Sequence, residues 1–109
     1  MDVTVVKAGT LSFKATRHLG ISSCRPIDPE QSPEQNVVFV DFVSGGKREL
    51  ESTSVPESAY VISGVYELVL AGDVVRHLET GDLVHFPPGS SHGVRCVVPG
   101  RWLAIFTPV

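Results

Sequence analysis

Turn-forming residues interrupt this chain so often that no long helix fits between them. Gly9, Gly20, Pro26, Pro29, Pro33, the pair Gly45-Gly46, Pro56, Gly64, Gly72, Gly81, Pro87-Pro88-Gly89 and Pro99-Gly100 punctuate it from end to end. Proline removes a backbone donor and fixes φ; glycine weakens any regular element it sits in. The runs between these breakers are short and rich in Val, Ile, Phe and Leu. None sustains a 3.6-residue apolar period over three turns. Many short β-type runs separated by turns predict an all-β sandwich or barrel. Strands are expected at Val3–Val6, Leu11–Ala15, Leu19–Arg25, Val37–Val43, Glu49–Thr53, Ala59–Ser63, Tyr66–Ala71, Val74–Leu78, Leu83–Phe86, Gly93–Val98 and Trp102–Phe106. Ala71-Gly72-Asp73 reads as a hairpin tip. The polar, proline-rich stretch from Pro26 to Gln35 reads as a surface loop.

With 109 residues, of which 42 % are hydrophobic, residues 1–109 have material for one core and too little for two. The formal net charge is −3 and the basic residues are scattered. That disfavours nucleic acid and anionic membrane surfaces, both of which call for a basic face. No apolar run reaches the length of a membrane span, and M-D-V-T-V-V-K lacks the features of a secretory leader. Cys24 and Cys96 have no Cys-x-x-Cys spacing and read as two free thiols, so a cytoplasmic location is expected.

The most specific spacing lies between Gly81 and His92, G-D-L-V-H-F-P-P-G-S-S-H. It is G-x5-P-x-G-x2-H, and it resembles the second motif of the cupin superfamily. That motif ends x3-N, and here Cys96 stands in place of the asparagine. The family's first motif, G-x5-H-x-H-x3-E-x6-G, is matched in register by Gly45, Glu51, Thr53, Glu57 and Gly64. Both histidines are replaced, by Glu51 and Thr53, while the carboxylate and both glycines remain. The resemblance runs from Gly45 to Cys96. It implies a single RmlC-like cupin jelly-roll barrel of two facing antiparallel sheets, with a small-molecule site inside it.

In metal-binding cupins the motif histidines and glutamate converge inside the barrel. Carried over, this implies Glu57 and His92 as ligands. Ectoine synthases, cupins that also depart from the histidine pair, use a tyrosine at a position comparable to His85. By that likeness Glu57, His85 and His92 form a set of two imidazoles and one carboxylate for a divalent Fe, Mn, Ni or Zn ion. Glu51 is then a candidate general base. Thr53, Asp41 and Tyr60 are candidate lining residues for a substrate pocket. Asp41 interrupts the apolar run V-V-F-V-D-F-V, so its carboxylate must be solvated, paired or neutralised. Cys96 reads as a small buried residue, and His18 and His77 read as surface residues. The alternative to a metal-dependent enzyme acting on a small polar metabolite is a metal-free barrel that binds an organic ligand, as a sensor, a carrier or an acid–base isomerase or cyclase. The apolar Val3–Val6 is expected to help pair two copies in a homodimer.

Overall fold

The computed structural model describes residues 3–107. Eight strands follow in order: β1 (Lys14–Ala15), β2 (Ile21–Cys24), β3 (Asn36–Phe42), β4 (Lys47–Ser52), β5 (Glu57–Leu70), β6 (Val74–Glu79), β7 (Leu83–Phe86) and β8 (Ser91–Phe106). All pairings are antiparallel. None of the described residues forms a helix long and apolar enough to cross a membrane.

Two long strands, β5 and β8, organise the barrel. Each replaces two of the separate strands that the sequence predicts. β5 runs through Gly64, and β8 runs through Pro99-Gly100. The β5–β8 ladder shifts register between Val61 and Tyr66, where both strands bend. One sheet holds β1, β2, β3, the later half of β8, the earlier half of β5, and β7. The facing sheet holds β4, the earlier half of β8, the later half of β5, and β6.

Two glycines make the bend. Gly64 has φ of +99°, and a Cβ there would lie 2.6 Å from the Tyr66 hydroxyl. A Cβ on Gly100 would collide with the Ser63 carbonyl. The strands therefore cross at contact distance only because these positions lack side chains. The Tyr66 hydroxyl donates to the Ser63 carbonyl at 2.7 Å and ties the corner down.

Next to this corner the interior is aromatic. Phe42, Tyr66 and Trp102 pack edge-on or tilted, with centroids 4.9–5.2 Å apart. Ile21, Ala59, Val61, Leu68, Leu78, Phe86, Val94, Cys96 and Ala104 complete the buried core. Cys96 sits inside it as expected. Its thiol donates to the Val98 carbonyl at 3.2 Å, and burial pushes its pKa up.

Val3–Val6 is not a strand: Val3 and Val5 stand exposed and pair with nothing among the described residues. Only Lys14–Ala15 of the predicted Leu11–Ala15 pairs with a neighbour. Pro26–Gln35 is a loop, as expected, and residues 71–73 form a tight turn in which Gly72 takes φ of +78°.

Candidate functional site

Away from the corner, the two sheets enclose a cavity of about 460 Å3. Its walls are apolar: Ile21, Val40, Phe42, Val94, Trp102, Ala104 and Phe106. Its polar groups come from the β1–β2 turn (Thr16, Arg17, His18), from Ser23 on β2, from β4 and the residue after it (Arg48, Glu51, Ser52, Thr53), and from Glu57 at the start of β5.

His92 is buried at 2 % exposure. Its ring stacks on Phe86 with centroids 3.7 Å apart and planes 13° from parallel. Nε2 lies 2.9 Å from Arg48 Nη1. A guanidinium only donates, so Nε2 accepts and the ring carries its proton on Nδ1. Nδ1 is buried without a well-formed hydrogen bond among the described residues. Burial first, and the Arg48 charge second, lower the His92 pKa to about 4, so the imidazole is neutral at neutral pH.

Arg48 also donates from Nε to Glu51 Oε1 at 3.1 Å. Arg17 donates to the same oxygen at 2.7 Å, and His18 Nε2 lies 3.7 Å from it. Desolvation acts to raise the Glu51 pKa, but the hydrogen bonds from Arg48 and Arg17 prevail and hold it low. His18 is also shifted down, by burial and then by Arg17. Glu57 is buried, and its carboxylate takes no hydrogen bond from the described residues. Desolvation raises its pKa, opposed by the Arg48 charge.

Arg48 is the residue that strand alternation misses. It lies three positions before Glu51, so in a regular strand the two would face opposite ways. In the structure Arg48 pairs with Val94 and Glu51 pairs with His92, so three steps on β4 match two on β8. The extra residue is a bulge at Glu49-Leu50, and it turns both side chains inward. The legible signal was Gly93. A Cβ there would sit 2.8 Å from the Arg48 carbonyl and 3.0 Å from the Leu50 nitrogen, so glycine is what admits the bulge.

His18, expected at the surface, is instead partly buried at the cavity. Gly20 and Gly46 let two backbones touch: a Cβ on Gly46 would lie 2.7 Å from the Gly20 carbonyl oxygen. Lys47 N donates to the Leu19 carbonyl at 2.9 Å beside that contact. The pairing docks the Arg17–His18 turn over the cavity mouth.

The structure brings Glu51, Thr53 and Glu57 to the cavity and buries His92 beside it, but it leaves His85, Asp41 and Tyr60 outside. On β7 the inward position goes to Phe86, because it stacks on His92, so His85 points outward. Its Nδ1 shares a hydrogen bond with Ser58 Oγ at 3.0 Å on the outer face. Tyr60 lies between buried Ala59 and Val61 and therefore faces solvent. Asp41 is on the outer face beside inward Phe42. It is paired, through two hydrogen bonds of 2.6 and 3.0 Å from Arg101. The Arg101 guanidinium in turn lies over the rings of Phe13 and Phe39.

The three-ligand set of Glu57, His85 and His92 therefore does not assemble. Among the described residues no group of three or more His, Cys, Asp or Glu side chains is arranged to hold a metal ion. The donor chemistry disagrees with a metal too. A ligand imidazole needs a free nitrogen lone pair, and the Nε2 lone pair of His92 is taken up by a cation already fixed in the chain.

The model of the cupin domain family matches residues 38–106, well over half of the chain. The chain belongs to the cupin superfamily. Among solved structures it is similar to the polyketide cyclase RemF from Streptomyces resistomycificus, at TM-score 0.90 and 16 % identity over 97 % of this chain and 80 % of that one. KdgF from Halomonas sp. matches at TM-score 0.83 and 21 % identity, over 97 % and 95 % of the two chains. An RmlC-like cupin from Shewanella frigidimarina matches at 0.82 and 18 %, over 99 % and 93 %. At these identities the likeness is one of fold. No curated protein matches the sequence.

Proposed function

We propose that this cupin holds a metal-free small-molecule site in which Arg48 stands in for the usual metal. One observation carries the reading. Two of the positions matching the family's ligands, 51 and 92, supply side chains that hydrogen-bond to the Arg48 guanidinium, and a third, Glu57, feels its charge. A fixed guanidinium supplies positive charge and directed donors without a coordination sphere. The cavity volume lies within the usual range for ligand sites, about 300–1,000 Å3. Such a site suits binding or acid–base work, with Glu57 as the group free to accept a proton or hydrogen bond and Arg48 as the electrophilic partner. Glu51 is a weaker candidate for general base, because two arginines already occupy its Oε1.

Metal analysis tests this. Wild-type protein, purified without chelator and then reconstituted separately with Fe(II), Mn(II), Ni(II) and Zn(II), should retain less than about a tenth of an equivalent after dialysis. Stoichiometric metal retained by the wild type, and lost in His92→Ala, would overturn the proposal.

A homodimer fits the outer face of the β7-bearing sheet, where Tyr60, Ile62 and Leu83 stand exposed. Light scattering at micromolar concentration should give twice the chain mass; a monomer mass would refute it.

A further inference from the structure

Resting on the metal-free reading of the barrel, we infer that its ligand is a small uncharged molecule with an apolar body, a carbonyl oxygen that takes a hydrogen bond from Arg48 and a neighbouring hydroxyl that gives one to Glu57.

The charge layout selects against ions. Arg48 and Glu51 form a pair at the cavity edge, and Arg17, a lining residue whose side chain is largely exposed at the rim, shares the same carboxylate oxygen. An anionic ligand would have to compete with Glu51 for Arg48 while facing the Glu57 carboxyl. A cationic ligand would be drawn to Glu57 but would sit against Arg48. In a partly desolvated cavity both arrangements are costly.

The hydrogen-bonding layout selects for a donor–acceptor pair. Arg48 uses Nε on Glu51 and one Nη1 hydrogen on His92, and a guanidinium has further N–H donors to offer. Glu57 lines the same cavity with acceptor capacity that no protein donor uses among the described residues. A carboxyl accepts in either protonation state, so this does not depend on how Glu57 titrates. A ligand carbonyl on Arg48 and a hydroxyl on Glu57 satisfy both groups, and a buried polar group left unpaired is the costlier state. Beyond the small hydroxyls of Thr16, Ser23, Ser52 and Thr53, the lining is mostly apolar, and walls such as Val40, Phe42, Val94 and Phe106 reward an apolar body.

The test is a ligand-observed NMR titration with five probes that share a phenyl ring: α-hydroxyacetophenone, acetophenone, styrene glycol, phenylacetate and phenethylammonium. In the wild type, α-hydroxyacetophenone should bind about tenfold more tightly than each of the other four, the equivalent of one hydrogen bond to a charged group. Arg48→Met should erase its advantage over styrene glycol, which lacks the carbonyl. Glu57→Met should erase its advantage over acetophenone, which lacks the hydroxyl. Each variant's amide spectrum verifies its fold. If a variant does not fold, the wild-type order of the five probes decides by itself. Equal binding of the three neutral probes, preference for either ion, or no binding of any probe by folded wild-type protein overturns the inference. Retained metal would sink the metal-free reading whichever probe binds. Metal-free protein that ignores the ketone sinks this inference alone.

Discussion

The two ends of the barrel are built from the same strands and do opposite things. At the corner, Gly64 and Gly100 bring β5 and β8 into contact, and Phe42, Tyr66 and Trp102 fill the space with three rings. The buried Trp102 Nε1 there finds no well-formed hydrogen bond among the described residues. At the mouth the strands splay around a cavity, and the groups they present are charged, mutually paired or left with spare capacity. Packing closes one end, and electrostatics holds the other. Stability should therefore concentrate at the corner, while sensitivity to pH and ligand should concentrate at the mouth.

The sharpest way to break this contrast is Gly100→Ala. The new Cβ would overlap the Ser63 carbonyl, which is backbone and cannot swing away. We expect a loss of more than about 4 kcal/mol, seen as a failure to accumulate folded protein or a collapsed urea midpoint. A small loss would mean that the corner yields. Trp102→Ala should cost about 3–5 kcal/mol by denaturant titration, through the cavity left between Phe42 and Tyr66.

The third expectation moves to the mouth. The His92 pKa falls from 6.5 to about 4 on folding, so between these values the unfolded state binds a proton that the folded state refuses. This contribution is present above pH 6.5 and is lost as pH falls toward 4. It amounts to up to about 3 kcal/mol. Glu57 works in the opposite sense, because its pKa is raised: its contribution is present below its unfolded pKa of 4.5 and is lost as pH rises through its folded value. Thermal melts from pH 7 to 4 should show a falling midpoint in wild type and a flatter profile in His92→Phe. An unchanged slope in that variant would remove His92 as the cause.

Arg48→Met should cost less, about 1–2 kcal/mol, through the buried imidazole nitrogen left without its donor. It should also raise the His92 pKa, although not to the ordinary value, because burial is the larger cause of the shift. An NMR titration of the His92 ring reads this directly. The smallest effect belongs to His85→Ala, on the outer face. It should change stability by less than about 0.5 kcal/mol and leave ligand binding at the mouth untouched. If binding changes, His85 belongs to the site after all.

How far the site could be foreseen follows the same division. Turns and their spacing were legible, because glycine and proline act locally: the Gly45, Gly64, Gly81, Pro87 and Gly89 pattern marked the family, and Glu57 and His92 lie at the positions it implied. Strand ends were less legible where a strand bends without breaking. Gly64 and Pro99-Gly100 read as stops, yet they are corners within β5 and β8. A stop and a corner use the same residue types, and only the partner strand tells them apart.

Sequence alone determined that this chain is β throughout, that its motifs are those of a cupin, and that the motif's histidine pair is gone. Tertiary structure decided what replaced it. Alternation says which residues of a strand share a face, but not which face is inside, nor where one extra residue reverses the count. Phe86 stacking on His92 turned His85 outward. A bulge opposite Gly93 turned Arg48 inward. Both outcomes depend on the neighbouring strand, and so neither could be read from the strand that carries the residue.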